Sequence, residues 1–281
     1  MKIGIATSCS DQALDPGSVA RIVEEAGFET LSLGEHSHIP AARQTPYPGG
    51  DGELPPGYER LPALGVSLTC AALATDTIKL ATGIMQIVQR DPIHAAKEVA
   101  SLDRISNGRM LLITGSSWNI EEMRNHGVDP DTRYELLEER VLAMREIWAN
   151  DEATFHGRFV DFDRIWSWPK PVQNPMPVLI GGNSEGVEER ALRSGTGWAP
   201  LSSPGIPERI RAYLARAAAD GTATTVTAVG GGDLSPRLLE DYAAAGAERY
   251  LYSVPIPVDE GELVDRLENV LAAYAELAGT S

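Results

Sequence analysis

Cysteine is scarce: the 281 residues hold two, Cys9 and Cys70, at no metal-ligand spacing and in no secreted disulfide pattern. Positive charge is short as well. Lys and Arg number 24 against 40 Asp and Glu, a formal net charge of −16, so nucleic acid and anionic membrane surfaces would repel the chain. An anionic cofactor is still allowed, because backbone N–H groups and a few arginines can hold one locally. No stretch approaches the roughly 18 apolar residues of a membrane span, and low-complexity tracts are absent. The opening "MKIGIATSCS" carries one lysine and then a short apolar strand, which is not the pattern of a signal peptide. These absences lead to the expectation of a soluble, cytoplasmic protein without nucleic-acid or membrane partners.

What is present is an alternation. "KIGIAT" reads as a strand, and "DPGSVARIVEEAGF" follows as a helix with Asp15 at its N-cap and Pro16 in its first turn. "TLSLGE" is a second strand, after which a polar, Pro/Gly-rich stretch from about 39 to 60 is too long for a tight turn and reads as an active-site loop. Strand and helix patterns then repeat to the end. "RYELLEERVLAMREIWAN" places Leu136, Leu137, Val141, Met144 and Ile147 on one helical face, and "TFHGRFVDFD" reads as a hairpin excursion near 153–162. Eight strands, each followed by a helix, with hydrophobic content of 43%, predict a single (β/α)8 TIM barrel spanning residues 1–281. A doubly wound sheet would want a glycine fingerprint after the first strand, and "ATSCSDQALDPG" has none.

In a barrel the chemistry belongs at the C-terminal ends of the strands. Glu35, His36 and His38 follow the second strand, and His-x-His beside a carboxylate allows a metal site, an acid/base pair or a capped loop. The remaining histidines are His94, within a predicted helix, His126 and His156, and none directly follows a strand. We therefore expect no metal there and favour acid/base chemistry or cofactor contact. Gly83 closes the third strand and apolar Ile84, Met85, Ile87 and Val88 continue past it, either as the seat of a flat organic ring or as more core. Trp118 and Asn119 sit where the fourth strand hands over to a short helix whose Glu121 and Glu122 read as a solvated face. "IGGNSEGVEERA" carries Gly181, Gly182 and Asn183 from a strand to a helix start, which suits a phosphate or an ordinary capped turn.

Together these stretches resemble the luciferase-like monooxygenase family, in particular its branch using the deazaflavin coenzyme F-420. The likeness lies in "GEHSHIP", "IKLATGI…RDPIHAAKEVASLDRISNGR", "GSSWNIEEMRNHGVDPDTR", "PKPVQNPMPVLIGGNS" and "RSGTGWAP", in family order over about residues 1–200. The resemblance implies a deazaflavin or FMN ring at the barrel mouth and an oxidoreductase moving hydride between cofactor and a small organic substrate. It implies ring contacts from Thr82, Gly83, Ile84, Ser116, Trp118 and Asn119, with a non-proline cis peptide at Gly83–Ile84. Phosphate contacts fall on Gly181, Gly182 and Asn183, and Glu35, His36 and His38 face the reactive side, the histidines as proton handlers and Glu35 as their partner. Coenzyme F-420 is favoured. With FMN the reaction becomes monooxygenation fed by a separate flavin reductase, and a non-catalytic carrier on the same fold is a further alternative. A homodimer is implied by family analogy. One departure stands out: where many relatives read Gly–Val–Gly–Trp, this chain has Gly115, Ser116, Ser117 and Trp118.

Overall fold

Asp15 starts the first helix as its sequence predicts, its carboxylate accepting from the N–H groups of Gly17 and Ser18 in a computed structural model that describes residues 1–49, 51–232 and 234–279. The chain then alternates as β1 (Lys2–Thr7), α1 (Pro16–Glu25), β2 (Thr30–Leu33), α2 (Leu64–Ala74), β3 (Lys79–Thr82), α3 (Pro92–Ile105), β4 (Met110–Thr114), α4 (Ile120–Asn125) and α5 (Arg133–Ala149). A hairpin, β5 (Ala153–His156) and β6 (Asp161–Ile165), interrupts the series where the sequence places it. It resumes with β7 (Val178–Gly181), α6 (Val187–Ser194), β8 (Gly197–Ala199), α7 (Ile206–Ala219), β9 (Thr225–Gly230), α8 (Pro236–Ala244), β10 (Arg249–Ser253) and α9 (Glu260–Gly279).

Eight parallel strands close in the order β1-β10-β9-β8-β7-β4-β3-β2, a (β/α)8 barrel. Strand alternation divides the core into two clusters. Leu111 and Ile113 of β4 join Ala81, Leu179, Ala199 and Leu251 inside the barrel, while Met110 and Leu112 between them pack outward with the helices. The apolar face of α5 is buried at all five predicted positions, each side chain contributing roughly 1.5–3 kcal/mol by leaving water. The interior is therefore a filled core, and any site has to be built above it, at the strand ends. No helix among the described residues is long and apolar enough to cross a membrane.

The apolar run after β3 divides differently from either expectation. Met85, Ile87 and Val88 are fully buried in the outer core, so they hold the loop down and do not line the mouth. Ile84 alone reaches over the barrel, packing on the interior cluster. A Cβ at Gly115 would lie 2.6 Å from Ile84 Cδ1, so glycine lets the chain leave β4 beneath that side chain without displacing its tip. The Gly83–Ile84 peptide is cis.

Candidate active site

His36 sits just beyond β2, nearly inaccessible, at the centre of the polar network over the barrel. Its Nδ1 lies 2.7 Å from Glu122 Oε2, and its Nε2 accepts from the indole N–H of Trp118 at 3.2 Å. An imidazole that accepts at Nε2 carries its proton at Nδ1, so His36 donates to Glu122. The Glu122 carboxylate is fully buried and also accepts from Ser37 N–H at 3.0 Å and Ser37 Oγ–H at 3.1 Å. Burial by itself would raise the Glu122 pKa. The bond and charge of His36 and the Ser37 donors outweigh it and hold the carboxyl below its ordinary range.

Glu35, which the sequence pairs with the histidines, has other partners. It accepts from Arg90 Nε at 2.9 Å and from the backbone N–H of Gln86 at 2.7 Å, and Arg90 continues to Glu98. The partner of His36 is Glu122, which the sequence places on a solvated helix face. The reason is geometric: α4 starts at Asn119, whose Oδ1 accepts from Glu122 N–H at 3.1 Å and turns that residue under the mouth. Glu121, its neighbour, turns toward the long loop after β2 and tethers it, its Oε1 accepting from Gln44 N–H and Thr45 N–H. That loop includes Gly50, which lies outside the described residues.

His38 joins the same network through Ser37 and makes no bond to His36. Its Nδ1 lies 2.9 Å from Ser37 Oγ and its Nε2 2.9 Å from Asn125 Nδ2. The exposed His126, which no strand end predicted, folds back from the end of α4 to within 2.6 Å of the same hydroxyl. His38, Glu122 and His126 thus offer donor atoms within 4.8 Å of one another, the spacing of a metal site. The Ser37 hydroxyl bonds to all three and takes up those atoms.

An aromatic layer covers His36. Tyr58 and Trp118 lie with ring centroids 5.2 and 5.5 Å from the imidazole, and Tyr47 contacts both at 5.4 and 5.5 Å. Arg43 stacks over Trp118. Burial and the neighbouring Tyr47 push the Tyr58 pKa up, so its hydroxyl stays protonated. Ser117, in the motif that departs from the family, has φ of 62° and donates to Gln86 Oε1 at 2.5 Å. This fixes the Gln86 amide with its NH2 toward the Glu35 carbonyl at 2.7 Å and His36 Nδ1 at 3.1 Å. A left-handed φ is easier for glycine, so the hydroxyl is what this chain gains at that position.

The other expected contacts divide into free and occupied groups. Thr82 is buried and spends its hydroxyl on Ile113 O at 2.6 Å and Ile113 N–H at 2.8 Å, tying β3 to β4. Ser116 stands half-buried at the end of β4. Buried Asn119 uses Oδ1 as the helix cap and leaves Nδ2 without a partner, as buried Ser32 leaves its Oγ. Asn183 closes its amide on Leu201, donating to the carbonyl at 2.7 Å and accepting from the N–H at 2.9 Å. Gly181 ends β7, and Gly182, at φ of 105°, opens onto clear space.

Beyond Gly182 the residues turn cationic. Arg190 donates to Ser184 Oγ at 2.9 Å, and the guanidinium groups of Arg190 and Arg133 lie 4.5 and 4.6 Å from the Tyr134 ring. Burial would raise the Tyr134 pKa, but the Ser184 and Arg133 bonds and the two positive charges leave it below the ordinary phenol range. Arg190 Nε is buried without a partner, and α6 begins at Gly186 with no side-chain cap. These arginines sit on helices, so a search confined to strand ends passes over them.

The family pattern described as luciferase-like monooxygenase matches residues 14–274. An uncharacterized protein of Mycobacterium tuberculosis is 36% identical over 289 residues, covering 98% of this chain and 96% of its own length. The FMNH2-dependent dimethylsulfone monooxygenase of Pseudomonas putida is 30% identical over 215 residues, 74% of this chain and 54% of the relative. Among solved structures, a coenzyme F-420-dependent secondary alcohol dehydrogenase in complex with a cofactor–acetone adduct superimposes with a TM-score of 0.74 at 15% identity, over 97% of this chain and 99% of that one. The fold and the matched length converge: the chain belongs to the luciferase-like monooxygenase family.

Proposed function

We propose that the chain is a deazaflavin (coenzyme F-420)-dependent oxidoreductase in which His36 handles the proton that accompanies hydride transfer. The observation that carries this reading is the buried His36–Glu122 pair at the end of β2, at 2.7 Å. Hydride transfer to or from an organic substrate needs a partner proton, and an imidazole titrates near the working pH. Glu122 fixes the tautomer that leaves Nε2 as the acceptor facing away from the carboxylate.

The residues present fit such a cofactor. Ile84 over Gly115 makes a flat apolar floor, and the unpartnered Ser32 hydroxyl and Asn119 amide match the polar edges of a ring. The open space at Gly182, the uncapped start of α6 and the unpartnered Arg190 Nε suit its phosphate. When bound, the deazaflavin supplies the hydride chemistry; the protein supplies position, a proton acceptor and exclusion of water. In this arrangement the Trp118 N–H, now on His36 Nε2, gives way to the substrate, and Tyr47 and Tyr58 shape the pocket above it. In this reading His38 serves the outer network, where its ring nitrogens meet Ser37 and Asn125.

FMN is the second reading, favoured by the 30% identical FMNH2-dependent relative; it would bring monooxygenation and a separate flavin reductase. Titrating the apoprotein into each cofactor and following fluorescence separates the two. Quenching of coenzyme F-420 is expected, and tight FMN binding with no response to the deazaflavin overturns the proposal.

A further inference from the structure

The polar network does not stop at Glu122. From His36 Nδ1 the bonds run to Glu122 Oε2 at 2.7 Å, from Glu122 Oε1 to Ser37 Oγ at 3.1 Å, and from Ser37 Oγ to His126 Nε2 at 2.6 Å and His38 Nδ1 at 2.9 Å. It begins at side chains with at most 3% exposure and ends at exposed Ser37 and His126. A cleft of about 100 Å³ lined by Ser37, His126, Gln86, Gln89, Glu35 and Arg90 lies at its outer end, large enough to admit water.

We propose that His36–Glu122–Ser37 is a proton path joining the covered mouth of the barrel to solvent, with His126 as its proton-exchanging terminal; His38, whose Nε2 accepts from Asn125 Nδ2 and whose proton therefore sits at Nδ1, donates to Ser37 Oγ and holds it in place. It rests on the acid–base role given to His36 above. A hydroxyl is the one side chain here that donates and accepts without moving its heavy atom, and it stands between a carboxylate and two imidazoles. A simple structural clamp on Glu122 needs one donor; an exposed imidazole 2.6 Å from the same hydroxyl adds a group that can pass the proton on to solvent.

The step balances as proton transfer alone. A proton taken at His36 Nε2 is matched by release of the Nδ1 proton to Glu122 Oε2, and no electrons move. The carboxyl group turns about Cγ–Cδ and gives that proton to Ser37 Oγ, while Ser37 passes its own to His126 Nε2 in the tautomer that leaves that nitrogen bare, and His126 releases the Nδ1 proton to water. Uptake runs the same bonds in reverse. The groups facing the inner end are Glu122, Tyr58 and Trp118; those facing the cleft are Glu35 and Arg90, which pair with each other.

The test needs neither cofactor nor substrate, so it is independent of which cofactor binds. In protein labelled with 15N-histidine, the exchange rate of the His36 Nδ1 proton with water is read by saturation transfer. The H126Q variant, whose amide keeps the hydrogen bond but does not exchange protons, should slow it by about tenfold or more, and added imidazole buffer should restore it. Ser37→Ala should slow it too, and serves alone if H126Q fails to fold. Wild-type exchange that is slow to begin with, exchange unchanged in the variants, or slowing that imidazole does not rescue would each overturn the path.

Discussion

Replacing Glu122 by Gln asks one oxygen to do the work of two. The carboxylate accepts from His36 Nδ1–H through Oε2 and from Ser37 N–H and Oγ–H through Oε1. If the amide oxygen serves Ser37, the amide NH2 faces His36 Nδ1 at 2.7 Å, where Gln86 already brings a second NH2 at 3.1 Å. Two donors then face Nδ1, so the imidazole moves its proton to Nε2 and loses the Trp118 N–H. The opposite amide orientation sets NH2 against a backbone N–H that has no alternative form, which is worse. The expected cost is one charge-assisted and one neutral hydrogen bond, about 2–4 kcal/mol in all. For a chain of this size that lowers the urea midpoint by about 1 M. The 15N spectrum of His36 should show the protonated and unprotonated nitrogens exchanged. Because the folded Glu122 pKa lies below its ordinary value, its contribution is complete above the ordinary carboxylate range and is lost as pH falls through the depressed value. E122Q should therefore also flatten stability against pH in that acidic window. An unchanged midpoint with the original tautomer would refute the assignment of Glu122 as the group that sets His36.

Four further outcomes follow from other parts of the molecule. Burial, then the charge of Asp15, pushes the Cys9 thiol up to about 12, so a thiol reagent at neutral pH should label exposed Cys70 quickly and reach Cys9 only on unfolding; C70S should abolish the fast phase. Arg190→Met should weaken coenzyme F-420 and FMN alike by about tenfold or more in fluorescence titration, and unchanged affinity would put the phosphate elsewhere. Gly182→Ala should lower the unfolding midpoint by the equivalent of about 1–2 kcal/mol despite the open space at that Cβ, because φ of 105° is forbidden ground for alanine. Glu29→Gln breaks a fork in which Arg249 Nε and Nη2 donate at 2.6 and 2.9 Å below the barrel, and should cost about 2–4 kcal/mol in urea, with the loss vanishing in acid as Glu29 protonates.

The barrel was legible because its signals are local. Asp15 before Pro16, the five-residue apolar face of α5 and the alternation around His156 each name an element without reference to anything distant, and all three elements form. The run from Ile84 to Val88 was ambiguous for the opposite reason. Hydrophobicity states that side chains avoid water, and only the path of the loop after β3 decides that Ile84 faces the mouth and Met85, Ile87 and Val88 the outer core. Glu35 and Glu122 exchanged roles on the same account: adjacency favoured Glu35, yet Arg90, 55 residues on, claims it, while Glu122 arrives from 86 residues away.

One signal for the outer network was nevertheless in the chain. Glu122 and His126 are four residues apart, one helical turn, and so share a face, whereas Glu121 is turned away by about 100°. On the six residues of α4 this register sends Glu121 to the loop backbone at Gln44 and Thr45 and Glu122 to His36, and His126, as the C-cap, comes back over Ser37. The Asn119 cap sets that register, since shifting the helix start by one residue would exchange the two glutamates. Loop tether, buried carboxylate and solvent-facing imidazole are thus fixed by a single helix start, which is why Asn119 bears on the chemistry even with its Oδ1 committed to a backbone N–H. Its substitution by Ala should loosen the loop and the His36 tautomer together, a joint change that loss of either contact alone would not produce.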